Sequence, residues 1–352
     1  MPILPTNCVF YNTHNNTNTN TNTRKEIIKY ISEIVSYSPS LNNEIINVNT
    51  IKHRIPDYKF YFFVYIDYHQ LQKSEVKLKN EYDNDIDSNS DIRLFHKSAS
   101  EYLFKFENRQ CIYFKDYLKS LSSSRKYIFQ FIHFYKHLLE GLRKLVSINM
   151  VHGNIHMDNI IVINDNAHFT DFRSSIEVYE NMNMNMNMNN NEQSNLIEFH
   201  LLSYMKTRQI KSLSQYNIHL LVDKLYEEQL GHLIKPFGDT LYNQMVDEAK
   251  EYYFKYVNKP VEVIWTDMCN WFFTWDNYLL SIVYLKIMIG LHSHVKNNID
   301  KNKFLIGFMK LLVANIHPNP TKRKTISETL EIFDNIIYSC EPNVYKDLIK
   351  YI

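Results

Sequence analysis

The sequence predicts an α+β protein, with a small mixed N-terminal part and a larger, mainly helical C-terminal part. Three observations carry this. Runs rich in aromatic and β-branched residues, YKFYFFVYI at 58–66 and EYLFKFENRQCIYF at 101–114, fall early in the chain. From residue 125 onward, apolar residues recur mostly at helical spacing. At 151–173 a strand-turn-strand pattern with polar ends interrupts the helical part.

In chain order, residues 1–23 form a tail that ends in NNTNTNTNT and cannot bury a face, so disorder is expected there. RKEIIKYISEIVSY, 24–37, spaces Ile27, Ile28, Ile31, Ile34 and Val35 at helical intervals and predicts a helix. The runs at 58–66 and 101–114 predict strands, the second around a turn. NEYDNDIDSNSD, 80–91, resembles the start of a calcium loop through Asp83, Asp85 and Asp87. It lacks glycine at the sixth position and has Leu94 where a bidentate glutamate belongs, so an exposed loop is expected.

RKYIFQFIHFYKHLLEGLRKLVSIN, 125–149, puts Ile128, Phe131, Ile132, Tyr135, Leu138 and Leu142 on one broad face of a helix. His133 and His137 stand four apart on it, the spacing of a shared metal, but no glutamate follows His133 and ordinary helix histidines are expected. VHGNIHMDNIIV, 151–162, then leads through the turn NDNA into HFTDFRSSI, which presents Asn159 and Asp171 at neighbouring strand ends. NMNMNMNMNNN, Asn181–Asn191, is a second low-complexity tract. Helical patterns follow at 196–230, 239–257, 276–290, 303–315 and 325–339.

With 352 residues, the chain is long enough to bury one large or two ordinary cores. Lys plus Arg (39) nearly balance Asp plus Glu (38), which argues against nucleic acid or an anionic membrane as a partner. Cys8, Cys111, Cys269 and Cys340 show no Cys-x-x-Cys spacing, so neither a zinc site nor a disulfide framework is expected, and a reducing, cytoplasmic setting is. The most apolar stretch, Tyr278–Leu291, is too short to span a bilayer and contains Lys286. Six glycines occur, the first at Gly141. The heavy use of Asn, Ile, Lys, Tyr and Phe is what an AT-rich coding sequence produces, in protists and large DNA viruses alike.

His152-Gly153-Asn154-Ile155-His156-Met157-Asp158-Asn159, followed by Thr170-Asp171-Phe172-Arg173, resembles the catalytic loop and metal-binding loop of eukaryotic-type protein kinases, His-Arg-Asp-x-x-x-x-Asn and Asp-Phe-Gly. Three downstream stretches fit the same family in order. Asp276 and Tyr278 in TWDNYLLSIVYLKIM stand where the family has an Asp-x-Trp whose aspartate holds the catalytic-loop backbone. PVEVI, 260–264, resembles Ala-Pro-Glu, and Asn319-Pro320-Thr321-Lys322-Arg323 resembles Asp-Pro-x-x-Arg, which makes Glu262 the expected buried partner of Arg323. The resemblance implies a bilobal fold: a reduced N-terminal β lobe at 24–110 and a mainly helical C-terminal lobe at 111–345 with an insertion at about 178–257.

The site implied by the resemblance is incomplete. Phosphoryl transfer rests on a Gly-rich loop, a Lys–Glu pair and metal ions held by Asn and Asp. No glycine precedes Gly141, and Lys77 is a substitute for the lysine, with Glu26 or Glu33 as its partner and an ordinary solvated lysine as the alternative. Asn159 and Asp171 match the metal and nucleotide ligands, and as bare sequence they read equally as turn or capping residues. Asn154 stands at the base position and cannot take a proton. His156 stands where protein kinases have a lysine against the transferred phosphate; an ordinary loop histidine is the alternative. Arg173 replaces the Asp-Phe-Gly glycine and sets a guanidinium beside Asp171.

The expectation is a pseudokinase that binds a protein partner, with Mg2+ and ATP as cofactors only if it is active. An atypical serine/threonine kinase is the first alternative. The second is a small-molecule kinase, since His152-Gly153-Asn154-Ile155-His156 also resembles the His-Gly-Asp-x-His of aminoglycoside and choline kinases.

Overall fold

The computed structural model describes residues 30–70, 101–107, 109–179, 196–294 and 302–340, and within them the chain is α+β. Strands β1 (Tyr30–Ser36), β2 (Asp67–Gln70) and β3 (Glu101–Glu107) form an antiparallel sheet in the order β1-β3-β2. Over residues 30–36, β1 overturns the helix expected at 24–37, whose first six residues lie outside the described ones. Its Tyr30, Ile31, Ile34 and Val35 are aromatic or β-branched, and the register from Tyr30 opposite Glu107 to Ser36 opposite Glu101 pairs the whole strand with β3. Strand pairing here outweighs apolar spacing.

Helix α1 (Pro39–Arg54) follows directly, where the sequence reading has no element. Its signals are local. The Ser38 hydroxyl accepts the Leu41 N–H at 3.1 Å, Pro39 opens the first turn, and Leu41, Ile45, Val48 and Ile51 recur on one buried face.

A second sheet, β4-β6-β7, is built from β4 (Cys111–Tyr113), β6 (Ile160–Ile163) and β7 (Asn166–Phe169), while β5 (Met150–Val151) and β8 (Ile176–Glu177) form a two-stranded ribbon. β3 and β4 therefore do not pair with each other, as a hairpin over 101–114 would require. Asn164 and Asp165 join β6 to β7 with φ of 50° and 61°, the left-handed pair that a two-residue hairpin turn needs.

The run at 58–66 is not a regular strand. Tyr58–Phe60 makes a 3-10 turn, after which Phe62 bridges in parallel to Phe169. Phe63 N–H donates to Phe169 O and Phe169 N–H to Tyr61 O, both at 2.9 Å.

Helices α2 (Phe114–Ser120) and α3 (Ser124–Ser147) come next, the latter matching the expectation for 125–149. Asn149, at φ 57°, supplies the left-handed residue after α3 and turns the chain into β5. Beyond residue 195 the helices are α4 (Ile197–Thr207), α5 (Gln215–Leu225), α6 (Asp239–Tyr253), α7 (Val261–Cys269), α8 (Trp275–His294), α9 (Lys303–Asn315) and α10 (Ile326–Tyr338). The continuous helix expected over 196–230 is broken. Gln209 at φ 53° lies past the end of α4, and a Ser214–Asn217 capping box restarts the chain as α5. A π-helical turn, Tyr226–Leu230, continues α5 into the short helix Gly231–Ile234.

Tyr135 of α3 meets Tyr284 of α8, Phe308 of α9 and Phe333 of α10 edge-to-face, with ring centroids 4.6, 4.8 and 4.8 Å apart. Such pairs contribute about 0.5–1.5 kcal/mol each beyond area burial. Nearby, Asn277, Ser281, Asn315 and Thr329 are wholly buried. Asn277 Nδ2 donates to Thr329 Oγ1 at 2.8 Å, and Asn315 Nδ2 to Ser281 Oγ at 3.0 Å. A satisfied polar network of this kind fixes the register of α8, α9 and α10. Among the described residues no helix is long and apolar enough to cross a membrane.

Candidate functional site

The loop 152–159 is fastened to α8 by one carboxylate. Asp276, buried in the first turn of α8, accepts the His152 N–H at 2.6 Å and the Gly153 N–H at 2.9 Å. Burial pushes its carboxyl up to about 7 against the pull of these two donors. Gly153 has φ 72°, and a Cβ built there would stand 3.0 Å from Ser174 O, so both backbone conformation and space call for glycine.

His152 is fully buried, and its Nε2 lies 3.1 Å from Thr170 O while Nδ1 lies 3.4 Å from the Asn154 N–H. A carbonyl on one side and an N–H on the other fit the neutral ring protonated at Nε2. Burial lowers its pKa to about 4, in agreement. Ser175 Oγ donates to His152 O at 3.1 Å, and Thr170 N–H to Asn159 O at 3.1 Å. These bonds bring Asn159 and the Asp171 segment together as the sequence predicts.

Asn154 is partly buried, and its backbone carbonyl accepts Asn159 Nδ2 at 2.9 Å. Its amide side chain offers no basic site near neutral pH. His156 Nδ1 lies 3.7 Å from Asp158 Oδ2, but burial lowers the His156 pKa more than Asp158 raises it. Burial thus works against the charged ring that a lysine-like role would need. Asn159 is wholly buried, and its Oδ1 has no hydrogen-bond partner among the described residues, which is unusual for a buried polar atom.

Asp171 adopts φ 67°, a left-handed conformation uncommon for a residue with a Cβ. Both its carboxylate oxygens are engaged: Arg173 Nε donates to Oδ1 at 2.6 Å and Nη2 to Oδ2 at 2.7 Å. Burial alone would raise the Asp171 pKa, and the Arg173 hydrogen bonds and charge reverse this and hold it below the usual carboxylate range. Arg173 Nε also lies 3.9 Å from Glu44 Oε2 on α1.

Two further residues of α1 bind the same segment. Asn43 Nδ2 donates to Arg173 O at 2.6 Å, and Asn47 Nδ2 to Phe172 O and Ser175 O, both at 2.9 Å. The sequence reading missed Asn43, Glu44 and Asn47 together with the helix that carries them. The Ser38-Pro39 start signal was the way to find it.

The resemblance implies a metal ion held by Asn159 and Asp171. Asn159 suits it, with a buried and unbonded amide oxygen. Asp171 does not, because the Arg173 fork already covers both of its oxygens. Lys77 and Glu26 lie outside the described residues, and Glu33 sits on β1 opposite Phe104. A cavity between residues 58–66, Glu107 and Arg109 shares no residue with this site.

The expected Glu262–Arg323 pair is corrected. Glu262 is exposed on α7, and Arg323 pairs instead with Glu198 of α4, with Nη1 to Oε1 at 2.7 Å and both side chains essentially inaccessible. Arg323 also donates through Nε to His317 O at 2.7 Å and lies 4.5 Å from the centre of the Tyr278 ring. Leu196-Ile197-Glu198 lacks the proline that drew attention to PVEVI, so burial rather than motif marks the residue. Set beside known proteins, the chain matches no family model and no curated protein.

Proposed function

We propose that the chain is a degenerate protein kinase-like domain, a pseudokinase, that acts by binding another protein. The observation that carries this is the bidentate Arg173 fork on Asp171, which occupies the carboxylate that metal-assisted phosphoryl transfer would use. Asn154 at the base position works in the same direction. Support for the kinase-like frame comes from the Asp276 clamp on the 152–153 backbone, from the buried Glu198–Arg323 pair, and from a small sheet and one helix preceding a helical part. Support for a protein partner comes from α5, which lies in the long stretch between Glu198 and Asp276. There Tyr216 and Leu220, one turn apart, are 72% and 44% exposed.

Thermal-shift titration with Mg-ATP tests this reading. No shift is expected, and a robust shift abolished by Asp171→Ala would overturn it. The orphaned Oδ1 of Asn159 favours a second reading, an atypical ATP-dependent serine/threonine kinase, because a buried acceptor without a donor is what a metal ligand provides. Restoring the carboxylate with Asn154→Asp separates the two. The second reading requires phosphate transfer to appear in the variant, whether to protein or to small-molecule acceptors; the first expects silence with both.

A further inference from the structure

We infer that Arg173 is a tethered cation, a side chain that neutralises the Asp171 carboxylate in place of a divalent ion while facing Glu44 of α1, so that the segment docks on α1 without any ligand. Asp171 is only 6% exposed at its side chain, and an unpaired carboxylate at that depth is strongly disfavoured. Arg173 meets it with two parallel N–H donors at 2.6 and 2.7 Å, the strongest arrangement available between these groups. The same guanidinium faces Glu44 at 3.9 Å, so one positive charge sits between acids from two distant parts of the chain.

The backbone around it is fixed independently. Asn43 and Asn47 hold the carbonyls of Phe172, Arg173 and Ser175 from the same helix, which aims the Arg173 side chain back over Asp171. A magnesium ion demands near-octahedral oxygen ligands and exchanges with solvent. A guanidinium delivers its charge permanently, through hydrogen bonds, and leaves the Asn159 oxygen unused. The docked position of α1 is therefore a property of the chain itself and needs no metal or nucleotide.

Removing the guanidinium should expose a site of hard oxygen donors, Asp171 and Asn159, with Glu44 close by. Mn2+ alone is the probe, followed by thermal shift and by calorimetric titration of the full chain. Wild type is expected to be indifferent to Mn2+. Arg173→Ala is expected to melt lower without metal and to bind Mn2+ at least about tenfold more tightly than wild type, with saturable stabilisation. That gain should vanish in Asp171→Asn/Arg173→Ala.

If Arg173→Ala does not fold, the double variant decides, because it removes both charges. Recovery of folding supports the inference, and failure of the double variant as well overturns it. The inference is also overturned by an Arg173→Ala protein as stable as wild type, by one that folds without gaining Mn2+ affinity, or by a wild type that binds Mn2+ equally well. The inference rests on the proposed reading of Asp171 as a metal-ligand position, and the two tests remain distinguishable: an Mg-ATP shift abolished by Asp171→Ala in a wild type that ignores Mn2+ overturns only the proposed function, and an Arg173→Ala protein that gains no Mn2+ affinity overturns only this inference.

Discussion

Glu198→Ala strips the partner from a guanidinium that has no access to water. The Arg323 side chain is 0% exposed and that of Glu198 1%. In the variant, Arg323 keeps the carbonyls of His317 and Pro318 and the face of Tyr278, but nothing neutralises its charge. Breaking a buried pair from one side costs about 3–5 kcal/mol. With an unfolding entropy of about 2.1 cal/mol/K per residue, the roughly 260 described residues lose about 0.5 kcal/mol per degree, so Tm should fall by about 6–9 °C. Circular-dichroism melts and urea unfolding measure this. Glu262→Ala, on an exposed helix face, should stay within about 0.5 kcal/mol of wild type. Glu198→Ala/Arg323→Met, which removes both charges and keeps apolar volume, should recover most of the loss. The reasoning is refuted if Glu198→Ala melts like wild type, or if Glu262→Ala is the costlier change.

Gly153→Ala places a Cβ against Ser174 O at a left-handed φ and should cost about 1–3 kcal/mol, read as a drop in the urea midpoint at unchanged slope. An unchanged midpoint would show that the loop can relax. Acidification from pH 6.5 towards pH 4 should destabilise the fold. His152 and His168, each lowered by burial to about 4, refuse protons that the unfolded chain accepts below its ordinary histidine pKa. Asp276, raised to about 7, works in the opposite sense, since its contribution is lost as pH rises through that range. His137, His156, His232 and His317 are lowered by burial as well, so the histidines outweigh the one carboxyl and the balance across that window is a loss of stability on acidification. Stability that stays flat or rises between pH 6.5 and 4 would contradict these burial effects.

Periodicity located most of the helical part, because helices such as α3 and α10 bury one continuous face and their apolar spacing survives in one dimension. It failed at β1, where Ile31, Ile34 and Val35 satisfy a helical template while their chemistry and their partner strand favour extension. The partner lies some seventy residues away, from Glu101 to Glu107, and that separation leaves no local trace. The loop at 152–159 and its Asp276 anchor were legible only through the resemblance of their motifs to those of protein kinases, since nothing local ties Asp276 to a backbone more than a hundred residues earlier. Glu198 was not. A buried glutamate reads like any other until its arginine is beside it, and Glu262 sat in the more suggestive local string.

The short parallel run of Tyr61–Phe63 along β7 has a bearing on solubility. A strand edge with open N–H and C=O groups is a template on which another chain can add. Here Tyr61 O and Phe63 N–H already fill the outer positions at Phe169, two residues ahead of Asp171. A chain started at residue 111 would lose that cover and offer the bare margin of β7 to a neighbour. Tyr61–Phe63 is thus a sheath over the margin of β7 at Phe169, closing it to intermolecular extension.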